Sequence, residues 1–168
     1  MRTFALSVIT ALFLAAAATA TAETDVTAPE LSDVRLTNKI FKVGAKNTVL
    51  LTQAKKKRKT PTGTTIKFNL EENAYVAIAV FRAAAGREQG TDCVKPTPEL
   101  ENAKTCVRPV FLKTMERIGR PGPNAIGFSG RLDGQKLKVG AYAFGIIVSD
   151  LAGNQSPLLS KYFFIVKG

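Results

Sequence analysis

The chain has 168 residues, enough for one domain with a sizeable core, and a formal net charge of +11. It contains no histidine, which excludes Ser–His and Cys–His catalysis and the commonest zinc sites. The basic excess directs attention to anionic partners such as wall polymers, acidic polysaccharides or lipid headgroups.

Residues 1–22 read as a secretory signal peptide. Arg2 supplies a positive start, Phe4 to Ala18 is an uncharged apolar run, and Ala20-Thr21-Ala22 offers small residues for cleavage after Ala22. An uncleaved anchor is the competing reading, and the apolar run is short for a stable span. No cysteine follows the cleavage region, so no lipoprotein anchor is expected. Residues 23–168 are then expected to form one domain, secreted or held at the cell surface, with no transmembrane span after processing. Export argues against nucleic acid as the partner.

The processed chain is written in short alternating apolar runs bounded by Gly, Pro, Asn and Asp, which is the pattern of strands and turns. Leu31 to Leu36 is the first expected strand, with Phe41 and Val43 continuing its edge after a turn at Asn38. Thr64 to Leu70 places Ile66, Phe68 and Leu70 on one face, and Tyr75 to Arg82 does the same with Val76, Ile78 and Val80. Pro109 to Ile118 is a weaker strand, followed by Asn124 to Ser129. Gly140 to Ser149 alternates Tyr142, Phe144, Ile146 and Val148 with Ala141, Ala143, Gly145 and Ile147. Lys161 to Val166 closes the series. About seven such strands predict an all-β fold of two antiparallel sheets packed face to face, with a closed barrel as the alternative.

Two segments interrupt the strands. Residues 54–63 form a basic loop carrying Lys55, Lys56, Lys57, Arg58 and Lys59. They belong to a longer stretch, between Asp33 and Glu71, without any acidic residue. The run is either a polyanion contact, each cation contributing about 1 kcal/mol near an anionic surface, or a solvated flexible loop. Residues 83–107 are expected to be a long polar loop bracketed by Cys93 and Cys106. This even pair in an oxidising compartment is expected to form a disulfide, worth about 3 kcal/mol through loop closure, with two free thiols as the competing idea.

The C-terminal half carries a family likeness. Leu137-Lys-Val-Gly140-Ala-Tyr142 and Asp150-Leu-Ala-Gly153-Asn154-Gln-Ser156 resemble the penultimate strand and last hairpin of bacterial immunoglobulin-like and fibronectin type III-like domains. Gly63 to Leu70, followed by Glu71 to Val80, looks like the central strand pair of the same group. Gly119 to Arg131 is similar to repeats of secreted actinobacterial proteins, and Ala28 to Gly44 fits the first strand. The resemblance covers about Pro29 to Val166. It implies an immunoglobulin-like sandwich, export and a non-catalytic role, and it supplies no ligand or binding residues.

Local chemistry agrees with that fold. Gly140 and Gly153 suit backbone positions with positive φ. Asp150 and Asn154 can bond their own backbone to close the hairpin. Tyr142 can bury its ring while its hydroxyl reaches a loop carbonyl.

No catalytic set is visible. Glu71, Glu72, Asp92, Glu99, Glu101, Glu116, Asp133 and Asp150 fall mostly singly in turns or in the long loop, and neighbouring Glu71 and Glu72 point oppositely in an extended chain. Neither a phosphate-binding nor a dinucleotide motif occurs. Asp150 with Asn154 could offer oxygens to calcium, but hairpins select these residues anyway, so no metal and no cofactor is expected. The expectation is a non-enzymatic structural or adhesion module acting through surface contacts, on envelope polymers or another surface protein. The alternative is a polyanion- or cell-wall-binding protein using the basic residues 35–67.

Overall fold

The computed structural model describes residues 25–45 and 60–168. The expected signal peptide and Lys55 to Lys59 lie outside the described residues. Seven long strands are present: β1 (Leu31–Leu36), β3 (Thr64–Leu70), β4 (Ala74–Gln89), β6 (Thr105–Gly119), β7 (Gly122–Phe128), β10 (Gly140–Ser149) and β11 (Leu159–Ile165). Four short ones join them: β2 (Ile40–Phe41), β5 (Asp92–Val94), β8 (Arg131–Leu132) and β9 (Gln135–Lys136). The only helical turn among the described residues is a 3-10 turn at Pro98–Leu100.

The strands form two main sheets. One has the order β1-β3-β7, and the other runs β2-β11-β10-β4, with both β5 and β6 hydrogen-bonded to β4. This is an all-β sandwich with open edges, not a barrel. The strand order, with sequence neighbours β3 and β4 divided between sheets, is that of immunoglobulin-like sandwiches. A separate β8–β9 hairpin stands apart from both sheets.

Alternation explains the packing. The inward residues Ile66, Phe68 and Leu70 of β3 and Val34 of β1 meet Val76, Ile78 and Val80 of β4 and Tyr142, Phe144, Ile146 and Val148 of β10 in one buried cluster. Aromatic rings join the sheets at its centre. Phe163 of β11 stacks 4.3 Å from Phe144 and 5.4 Å from both Tyr142 and Phe41, while Phe128 of β7 meets it edge-on at 5.7 Å. Offset-stacked and edge-on rings add about 0.5–1.5 kcal/mol each beyond area burial. Tyr142 buries its ring and donates from its hydroxyl to the Lys138 carbonyl at 2.7 Å, four residues upstream. Burial pushes the hydroxyl upward in pKa, against Arg82 and this hydrogen bond, so it remains a protonated donor.

Two expectations are corrected. Phe41 does not continue the edge of β1: the chain crosses to the other sheet, where β2 pairs in parallel with β11. Asn38 makes the crossing, its amide nitrogen donating to the Gly63 carbonyl and its backbone N–H to Thr64 Oγ1. The crossing brings Phe41 into the core.

Residues 83–107 are not mainly loop. β4 continues to Gln89 and β6 begins at Thr105, so the two pair from Ala74↔Gly119 out to Arg87↔Thr105. The partner β10 meets β4 only as far as Arg82, and the ribbon extends past it as an arm. Alternation weakens there because Ala83, Ala84, Ala85 and Gly86 carry little apolar signal. At its far end β5 pairs with β4 through Arg87, Glu88 and Gln89, on the edge that β10 occupies nearer the core.

A Cys93–Cys106 disulfide ties β5 to β6 across the intervening β4, with Cα atoms 6.0 Å apart. Gly86 lies beneath it. A Cβ there would collide with Cys93 Sγ and sit 2.9 Å from the Val94 carbonyl and 3.1 Å from Cys106 Sγ. Gly86→Ala is therefore expected to destabilise the fold by about 1–3 kcal/mol in urea denaturation, and by less once Cys93 and Cys106 are both alanine. Tyr142→Phe keeps the ring and loses the bond to Lys138, with an expected cost of about 1 kcal/mol in the same assay.

Candidate functional site

The outward positions of the large sheet are unusually apolar. Outer faces of antiparallel sheets exposed to water are commonly polar. Here one row crosses four strands as Phe111, Phe81, Ala143 and Tyr162. The next row is Thr114, Ala79, Gly145 and Ser160, and Ala141 faces Phe164 on the other side. Alternation dictates this distribution, since the large side chains of β10 point inward and leave Ala141, Ala143 and Gly145 outside.

Small residues over β10 and large ones on either side make a groove of about 500 Å³. Its walls are Phe81, Val107 and Pro109 on one side and Leu158, Tyr162 and Phe164 on the other, with Ala141 and Ala143 on the floor. Phe81 and Phe111 pack edge-to-face at 5.8 Å. A Cβ on Gly145 would come within 3.1 Å of the Phe81 ring and 3.3 Å of Leu158, so these side chains converge over the glycine. Tyr162 is 71% exposed, Val107 72% and Leu158 62%. Contiguous exposed apolar surface of this kind marks interaction sites.

Arg82 and Arg108 border the groove, whose lining has no acidic residue, but the register places their side chains on the opposite face of the sheet, the face of Tyr142 and Val110. Only two ion pairs occur among the described residues, Lys104–Glu88 and Lys113–Asp133, and neither involves these arginines. Arg87 and Arg131 give their donors to backbone carbonyls. Arg108 is different: its Nε is buried with no hydrogen-bond partner among the described residues. A second concavity of about 370 Å³, between β6 and the β8–β9 hairpin, contains the Lys113–Asp133 pair.

Of the residues singled out in the sequence, Tyr142 borders the groove and the others lie elsewhere, and they do not converge. Cys93 and Cys106 are at the end of the arm. Gly140, with φ of 155°, and Tyr142 are at the start of β10, and Asp150, Asn154 and Gly153 follow its end. Of the basic stretch, Arg35 and Lys67 face each other directly across β1 and β3, a like-charge pairing that costs stability. Among the described residues no His, Cys, Asp or Glu cluster could hold a metal ion. No helix among them is long and apolar enough to cross a membrane.

Asp150 and Asn154 form a closed turn. The Asn154 backbone N–H donates to Asp150 Oδ1 at 2.9 Å and its side-chain amide to Oδ2 at 2.7 Å, with Gly153 held at φ 93°. The carboxylate oxygens are thus engaged by the turn itself. The groove was missed because its signal is negative. The floor positions Ala141, Ala143 and Gly145 of β10 are small, and the large outward residues that wall it, Phe81, Leu158, Tyr162 and Phe164 among them, lie on other segments of the chain.

Desolvation works to raise the Asp150 carboxyl. Hydrogen bonds from the Asn154 side chain and the backbone of Asn154, Gly153 and Ala152 outweigh it and hold the group below the usual aspartate value. Its stabilisation is therefore complete above the ordinary aspartate range and is lost as pH falls through the lowered folded value. Asp150→Asn is expected to melt lower than the parent at neutral pH, with the gap narrowing on acidification, as read from melting temperature against pH. Comparison with known proteins finds no family model that matches the chain and no similar curated protein.

Proposed function

We propose that the chain is an exported, non-catalytic module that acts at the cell surface or in the medium through its surface contacts, as a structural or adhesion domain. The observation that carries this reading is the apolar outer face of the large sheet, which presents Phe81, Val107, Phe111, Leu158, Tyr162 and Phe164 on a strongly basic chain. Export is supported by the N-terminal residue pattern and by the disulfide. The likeness to secreted bacterial immunoglobulin-like modules is supported by the strand order and by the Tyr142–Lys138 corner. A non-catalytic role is supported by the lack of histidine and by the local engagement of Asp133 and Asp150.

The second reading, polyanion binding through residues 35–67, draws on a different face. Arg35 and Lys67 stand opposite each other on the outward side of the small sheet, beside Ala125 of β7. Uncompensated like charges at one spot attract an anionic polymer.

Retention of the protein on isolated envelope material separates the two readings. Binding through the apolar face is expected to survive high salt and to fall in Ala143→Phe, which fills the groove floor. Binding that disappears steeply with salt, and falls in Lys67→Gln while Ala143→Phe is unaffected, would support the polyanion reading instead.

A further inference from the structure

We propose that the outer face of the large sheet is a homodimer interface, on which a second copy of the chain packs sheet against sheet about a two-fold axis. The inference rests on the reading of this face as a contact surface, and it names the partner.

The face is almost free of charge. Beyond the row of Thr114, Ala79, Gly145 and Ser160 come Glu116, Ala77 and Ile147, and then Ile118, Tyr75 and Ser149. Across these rows and those of Phe81 and Ala141, Glu116 is the one charged residue, in a chain of net charge +11. The register turns Arg82 and Arg108 to the opposite face. A second copy can therefore cover the face without burying an unpaired cation, the step that makes most protein surfaces costly to dehydrate. The repulsion between two basic copies acts only at longer range, from their other surfaces, where salt screens it.

Shape and area point to the same partner. A two-fold contact uses one patch on both copies, so the patch must hold both a recess and a projection that fills it. Ala141, Ala143 and Gly145 form the recess, and the Phe81 ring stands beside it in the row of Ala143. An axis running along the strands between β10 and β4 lays each copy's Phe81 over the other's Ala143, and Tyr162 over Phe111. Tyr75, Phe111, Ile118, Leu158, Tyr162 and Phe164 are each about half exposed or more. At roughly 100 Å² apiece, a part of what an aromatic or large aliphatic side chain can bury, and with Val107 and the alanines between them, they reach about the 800 Å² that one partner gives to a standard stable interface.

Sedimentation equilibrium of the full chain, disulfide intact, is expected to show a reversible dimer with a dissociation constant in the micromolar range or tighter. Raising the salt from about 0.1 M to about 1 M should tighten it severalfold, because screening removes the repulsion between the copies. Ala143→Lys in the recess and Tyr162→Lys beside it should each weaken the dimer by about tenfold or more. Lys67→Gln, on the other sheet, should leave it unchanged. An unaltered strand signal in circular dichroism shows that each variant is folded, and Tyr162→Lys, at a position 71% exposed, carries the test if Ala143→Lys does not fold.

A chain that stays monomeric up to about 100 μM, a dimer that dissolves at high salt, or full dimer affinity in folded Tyr162→Lys would each overturn the proposal. So would a dimer lost in Lys67→Gln. If the chain is monomeric and Ala143→Phe loses envelope retention, the face belongs to a foreign partner: the second copy is wrong and the contact surface stands. If the parent dimerises and the lysine variants do not, the second copy stands whatever the envelope assay reports.

Discussion

The stack of rings around Phe163 is the contact on which the two sheets depend. Phe163 belongs to β11, Phe144 and Tyr142 to β10 and Phe41 to β2, and Phe128 reaches them edge-on from the opposite sheet. Each ring is fully or almost fully buried. Large side chains of this kind supply most of the apolar area a small sandwich can hide from water. The crossing of the chain at Asn38 follows from the same need, since Phe41 is buried only if β2 leaves the sheet of β1. The Tyr142 hydroxyl settles the one polar atom this cluster would otherwise strand.

Filling the inside this way shapes the outside. Strand alternation assigns every second residue to each face, and β10 places its bulk inward and its alanines and glycine outward. A row of small residues between two strands with large outward side chains becomes a trough. The candidate site is thus the reverse side of the core, and it lies where the arm of β4 and β6 departs from the sandwich. Val107 and Pro109 come from that arm, so the groove is walled partly by a segment that contributes little to the main core.

Much of this architecture is legible in the amino-acid sequence. β1, β3 and β10 have the bounds that alternation assigns, and in β3 and β10 one face is buried almost throughout, which makes their pattern unambiguous. The arm was not legible, and the reason is physical. Both faces of the ribbon beyond Arg82 are partly exposed, so its residues carry no inside–outside contrast, and Ala83 to Gly86 read as a spacer. Pairing to Thr105 through Arg108, together with the disulfide, holds it extended instead. The groove was illegible for a related reason. A periodicity argument looks for large apolar residues, and a floor is defined by their lack. The turn residues Asp150, Gly153 and Asn154 were readable because their conformations are local.

The covalent bridge over Gly86 also changes what happens when the backbone is cut. The excursion from Lys95 to Lys104, with its prolines and exposed charges, is the most accessible part of the arm. A protease that severs it leaves both new ends joined through Cys93 and Cys106, one on each side of β4. The nicked molecule keeps its mass on a non-reducing gel and falls into two fragments only after a thiol is added. The strands that hold the groove wall stay in register through the injury.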